Sequence, residues 1–194
     1  WGFWGSDDTS ESHVTVLAES NGTLAKMGHV GGLGKGEQIY SVRFMGDRGY
    51  VVTFRQIDPL YVLDLSNPLS PSVTGELKIP GFSSYMHPMS ETHLLTIGRD
   101  ATNEGQVQGL SFQIFDVSDA HNPKLTQKTV LGDGWNTWSE AMYDHHAFNY
   151  FAARGLLGLP VSGWEYNDQG EDEWGWYGRF VSKLQLFKVD IETG

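Results

Sequence analysis

Cysteine is absent from the 194-residue chain, which removes thiol nucleophiles, thiolate metal ligands and disulfides from consideration. The redox compartment stays open, because a disulfide-free chain folds in either setting. Basic residues are few: 13 Lys and Arg stand against 24 Asp and Glu, a formal charge of −11. Such a surface repels a phosphate backbone, so nucleic acid drops out as a partner class. No apolar run approaches the roughly 20 residues of a membrane-spanning helix. Nor does any long window place apolar residues at i, i+3, i+4 and i+7, as an amphipathic helix requires. The chain opens on Trp1 rather than Met and shows no basic-then-apolar leader. The expectation is a processed or trimmed polypeptide, with any signal peptide upstream.

What is abundant points to β structure. There are 7 Trp, 8 Tyr, 10 Phe and 24 Gly, aromatic residues being favoured in strands and glycine in the turns between them. One phrase recurs. It reads Leu60-Tyr61-Val62-Leu63-Asp64-Leu65-Ser66-Asn67-Pro68, and again Phe112-Gln113-Ile114-Phe115-Asp116-Val117-Ser118-Asp119 with Asn122-Pro123 closing the turn. The two aspartates lie 52 positions apart. Weaker copies run from Val14 to Asn21, offset by 46, and from Leu184 to Asp190. In each, apolar residues describe a strand, and the polar residues after it form a turn whose side chains cap backbone amides.

A second strand is predicted after each of the first three turns, over Thr23–Val30, Ser72–Ile79 and Lys124–Leu131. Pairs of further strands are predicted at Ile39–Met45 with Tyr50–Arg55, Ser83–His87 with His93–Gly98, and Trp138–Tyr143 with Ala147–Ala152. Four short strands per unit of about 40 to 50 residues is the arithmetic of a propeller blade. A sandwich with similar hairpins is the alternative, and the repeated Asp-turn phrase argues against it. The predicted fold is therefore all-β: a β-propeller of four-stranded antiparallel blades, about three to four blades' worth, forming an arc of a larger propeller. Residues 1–12 read as a loop or linker. Blades follow over 13–194: a partial blade 13–36, blades 37–82 and 83–132, and a partial blade 133–194 with an insertion at 163–179. Open sheet edges predict edge-paired self-association of such an arc.

The stretch from Glu37 to Ser66, continuing through Gly75-Glu76-Leu77-Lys78-Ile79-Pro80-Gly81-Phe82, resembles secreted bacterial and archaeal β-propellers distantly related to WD40 repeats, some with LVIVD-type repeats. Similarity continues through Gly98-Arg99-Asp100-Ala101-Thr102, Phe115-Asp116-Val117-Ser118 and Ser139-Glu140-Ala141-Met142-Tyr143-Asp144-His145-His146-Ala147-Phe148, covering roughly residues 13 to 162. The resemblance implies a propeller fold, a longer parent protein and a secreted or cell-surface location. It supplies no catalytic residues.

Candidate chemistry lies in two places. Glu140, Asp144, His145 and His146 offer the imidazole and carboxylate donors that hold zinc, copper or iron. Adjacent histidines on a strand point to opposite faces, so both join one site only if the chain turns there; otherwise Asp144 reads as a turn cap. The insertion carries Asp168, Glu171, Asp172 and Glu173, hard oxygen donors suited to calcium, although the spaced Asp-x-Asp-x-Asp-Gly pattern is missing. It also carries Trp164, Tyr166, Trp174, Trp176 and Tyr177, which suit a protein or a sugar; the structural alternative is a loop packed on itself.

Other motifs fall away. Gly31-Gly32-Leu33-Gly34-Lys35-Gly36 lacks both a following helix pattern and the Gly-Lys-Ser/Thr ending of a phosphate loop. Ser139, His145 and Asp144 lack a nucleophile elbow. Asn21-Gly22-Thr23 satisfies a glycosylation sequon but reads as the turn after a strand. The reading that results is a secreted binding or scaffolding module presenting loops to a protein or carbohydrate at the cell surface. The alternatives are an extracellular metal-dependent hydrolase or lyase, and a calcium-stabilised structural module; no cofactor is assigned, and calcium is the candidate for the insertion.

Overall fold

The computed structural model describes residues 10–54, 57–165 and 178–191. In the first sheet β1 (Ser12–Ser20) pairs antiparallel with β2 (Thr23–Leu33). The second is a consecutive meander of β3 (Gln38–Met45), β4 (Arg48–Phe54), β5 (Ile57–Asp64) and β6 (Ser72–Pro80). A third repeats it with β7 (Phe82–Pro88), β8 (His93–Ala101), β9 (Val107–Asp116) and β10 (Lys124–Leu131). In the fourth, β13 (Leu156–Glu165) lies between β14 (Arg179–Lys188) and an inner strand broken into β11 (Thr137–Trp138) and β12 (Asn149–Phe151). The chain is all-β, and its successive antiparallel sheets form an arc of propeller blades.

The repeat is visible in backbone detail. The third and fourth strands of a sheet share one register slip, opposite Leu17, Leu63 and Phe115 in turn, and the β1–β2 pair has a second slip between Ser12 and Val14. The residue skipped by the pairing is Met27, Thr74 or Thr126, and both threonine hydroxyls donate back across the bulge, to Val62 O at 3.1 Å and Ile114 O at 2.9 Å. Beyond the third strand, Asp64 Oδ1 accepts the Ser66 N–H and Asp116 Oδ1 the Ser118 N–H, each at 2.9 Å. This is the short polar side chain closing its own turn.

The last copy is shifted from where the sequence suggested. Val189 N donates to Gly155 O just as Leu65 N donates to Asp47 O and Val117 N to Thr92 O. Lys188 therefore stands where Asp64 and Asp116 stand, and Asp190 takes the place of the serines. Two predicted strands are also revised. Ser139 Oγ accepts the Ala141 N–H and Asp144 Oδ1 the His146 N–H, so Glu140–Met142 and His145–Ala147 wind into single 3-10 turns and only Thr137–Trp138 and Asn149–Phe151 remain extended. The strand Leu156–Glu165 was hidden by its Gly and Pro, residues that weaken a central strand. The inner strand is interrupted opposite Pro160, between the Asn149–Gly158 and Trp138–Ser162 pairs, and Ser139 Oγ donates to the Pro160 carbonyl there at 2.6 Å.

Sheets stack face to face, and the core lies between them. Tyr50, Val52, Leu60 and Val62 of the second sheet meet Met86, Leu94, Phe115 and Val117 on the third sheet and its turn. On its other face the third sheet lays Leu95, Ile97, Leu110, Phe112 and Ile114 against Ala141, Met142, Phe148, Leu157, Leu159 and Val161. Each fully buried Val, Leu, Ile, Phe or Met side chain among them contributes about 1.5–3 kcal/mol. Arginines tie one sheet to the next through carbonyls: Arg43 Nε and Nη2 donate to Met86 O at 2.9 and 2.7 Å, and Arg48 Nη1 to Val117 O at 2.7 Å. Glycine permits the closest approach. A Cβ on Gly28 would overlap Pro68 O, and one on Gly75 would overlap Ala120 O, in both cases the turn of the following sheet pressing on an outer strand. Among the described residues no helix is long and apolar enough to cross a membrane.

Candidate functional site

The first strands of successive sheets and the 3-10 turns at Glu140–Met142 and His145–Ala147 converge on a depression of about 410 Å3. Ser41 and Arg43 come from β3, Tyr85 and Met86 from β7, and Met142, Tyr143 and His145 from the turns. Its floor is rigid. Ser41 Oγ donates to Ser83 O at 2.7 Å, and the Arg43 guanidinium, besides holding Met86 O, lies 5.3 Å from the centre of the Tyr85 ring. Tyr85 in turn leans on Phe148 at 5.0 Å.

Behind the depression His87 stacks on Phe148 at 5.1 Å and meets Tyr150 edge-on at 5.5 Å. Burial pushes its imidazole below the ordinary pKa, and the nearby Arg43 charge pushes the same way. Burial also raises the Tyr150 phenol. Tyr143, by contrast, stands 74 % exposed at the rim, where an aromatic face is open to a ligand.

The turn at 145–147 answers the question left by the adjacent histidines. Asp144 caps it, with Oδ1 2.9 Å from His146 N and 2.8 Å from His146 Nδ1. Those bonds, the backbone one first, hold the Asp144 carboxyl below the usual carboxylate range. Because the backbone curls instead of extending, His145 and His146 lie on the same side, with ring centres 4.0 Å apart. One donor atom each from Asp144, His145 and His146 then lies within 4.8 Å of the others. Glu140 falls outside that group: it sits in the preceding turn, where its carbonyl accepts the N–H groups of Tyr143 and Asp144. Ser139 is buried, its hydroxyl spent on Pro160 O and Ala141 N.

Trp164 lies apart from this depression. It faces Phe180 across the β13–β14 pair at 5.6 Å, and Phe180 is 5.6 Å from Trp138, an aromatic row on the outer face of the fourth sheet. Tyr166, Trp174, Trp176 and Tyr177 lie outside the described residues, as do Asp168, Glu171, Asp172 and Glu173. The sequence reading singled out neither Arg43 nor Tyr85. They sit far apart in the chain and meet only because each occupies the first strand of its sheet, so the signal was the repeat itself, read at its inner positions.

The stacked sheets, recurrent bulge and recurrent Asp turn agree with comparison to known proteins. All of residues 1–194 match the family described as Beta propeller domain. An uncharacterized protein of Archaeoglobus fulgidus is 45 % identical over 154 residues, 79 % of this chain and 23 % of that protein. Uncharacterized protein MJ1554 of Methanocaldococcus jannaschii is 40 % identical over 189 residues, 97 % of this chain and 27 % of that protein. The chain thus spans about a quarter of the length of the curated relatives it matches. With blade geometry and a whole-chain family match in agreement, the chain belongs to the Beta propeller domain family.

Proposed function

We propose that the chain is a binding module of a secreted or cell-surface propeller and that it holds a protein or carbohydrate ligand in the inner-rim depression. One observation carries this reading: polar and aromatic side chains from the second and third sheets and from the capped turns converge on a single floor that packing has already fixed. Preorganised polar groups beside an exposed aromatic face are what ligand recognition uses, since little ordering remains to offset the contacts formed. The extracellular setting rests on the resemblance of the blade sequence to secreted propellers. A hydrolase would need an unengaged general base beside its metal-bound water. Asp144 is engaged by His146 and Glu140 stands apart, so the geometry favours binding over turnover.

The test is a fluorescence titration of the chain with a panel of soluble oligosaccharides and a panel of extended peptides. Saturable binding in one panel, weakened tenfold or more by Tyr143→Ala and unchanged by Trp164→Ala, is the expected result. Binding that follows Trp164 instead, or none in either panel, overturns the assignment of the site.

A further inference from the structure

We propose that Asp144, His145 and His146 form a binding site for a divalent transition-metal ion of borderline softness (zinc, copper or nickel) at the rim of the depression. Asp144 caps a 3-10 turn through its Oδ1, and the turn places two consecutive imidazoles on one side instead of on opposite faces of a strand. The donor set that results is two nitrogens and one carboxylate, which suits borderline ions and disfavours calcium and magnesium, whose sites are built from oxygen.

Distances fit an ion more closely than proximity alone requires. Ligands bound at 2.0–2.2 Å in a tetrahedral shell stand roughly 3.3–3.6 Å from one another. Asp144 Oδ1 and His146 Nδ1 are 2.8 Å apart across their shared proton, already near that bite. An ion entering there replaces the proton on Nδ1, and His146 then carries its proton on Nε2. The His145 donor closes the third position: the three donor atoms lie within 4.8 Å of one another, so a contraction of about an ångström suffices. All three side chains are exposed, and Asp144 Oδ1 would exchange its bond to His146 Nδ1 for the ion. Three protein ligands leave a coordination position open, and His145 itself lines the depression. The site stands independently of any ligand proposed above, because the metal alone is the probe.

A second histidine pair supplies the control. His13 and His29 stack at 5.0 Å, with Glu11 3.5 Å from His13, and the chain's charge of −11 attracts cations without any built site. Isothermal titration of chelator-free chain with zinc is expected to show one saturable site. His145→Ala and His146→Ala should each weaken it tenfold or more. Asp144→Asn, which keeps the capping oxygen but removes the charge, should weaken it as well, and the His13→Ala/His29→Ala double variant should leave it unchanged. Copper-loaded wild-type chain should give an electron paramagnetic resonance spectrum with coupling to two imidazole nitrogens, a readout that depends on no variant folding. Absence of saturable binding, a site lost with His13 and His29 but not with His145 and His146, or a copper spectrum without imidazole coupling would overturn the proposal.

Discussion

Leu186 holds on the fourth sheet the repeat position that Val62 holds on the second, yet Val62 is completely buried and Leu186 is 54 % exposed. The same contrast separates Leu184, 71 % exposed, from Leu60 at 2 %. Met86, Leu94, Phe115 and Val117 from the following sheet and its turn cover Leu60 and Val62, whereas the outer face of β14 has no such cover among the described residues. At the other end Leu17 is exposed where its equivalents Leu63 and Phe115 are buried. Both end faces of the arc carry the residues of a blade-stacking surface.

Equivalent substitutions should therefore have unequal costs. Leu60→Ala removes a side chain from the contact between the second and third sheets and should destabilise by about 2–5 kcal/mol. Leu184→Ala removes its counterpart from an exposed position and should stay within about 0.5 kcal/mol. Urea denaturation of both variants checks the pair; equal losses would show that the outer face of β14 is buried in the isolated chain.

The glycine contacts give a second comparison. Gly75→Ala drives a methyl group into the Ala120 carbonyl, and the outer strand must move, at about 1–3 kcal/mol. At the same repeat position the third sheet carries Gln127, whose Nε2 donates to Asp190 O at 2.9 Å, so Gln127→Ala should cost about 0.5–1.5 kcal/mol through a lost hydrogen bond. Thermal melting of the two variants reads the difference. A Gly75→Ala variant as stable as the parent would contradict the packing described.

These relationships mark how far the sequence could be read. The Asp64 and Asp116 turns were legible because a short polar side chain closing its own turn leaves a local signature. The inner strand of the fourth sheet was not: Ser139 and Asp144 are turn-formers set among the strand-favouring Trp138, Tyr143 and Phe148, and they won over strand propensity by capping backbone amides. Pro160 hid β13 for a related reason, since only the interruption of the neighbouring strand makes a proline admissible there. At the candidate site the sequence supplied the residue types Asp144, His145 and His146 but could not place their side chains on one side. Arg43 and Tyr85 were invisible because their meeting depends on how one sheet stacks on the next.

Acid should weaken the fold in two windows. His87 has a lowered imidazole pKa from burial and, second, from Arg43, so the unfolded chain binds the proton more readily. Its contribution is complete above the unfolded value of about 6.5 and is lost as pH falls through the lower folded value. Below about pH 4 the carboxylates of Asp64 and Asp116, depressed by their bonds to Ser66 and Ser118, lose theirs in the same direction. Stability measured from pH 7 to pH 5 should fall in the parent and flatten in His87→Phe; an unchanged slope would remove His87 from the account.

Sedimentation velocity across a concentration series, on the parent chain and on a Leu184→Ser/Leu186→Ser variant, tests the blade-arc account most directly. The parent is expected to associate reversibly as concentration rises, with the variant folded but monomeric, because the exposed apolar face of β14 drives the contact. A parent that stays monomeric at every concentration, with β14 amides as protected from exchange as those of β9, would mean that the arc closes upon itself and would contradict the account.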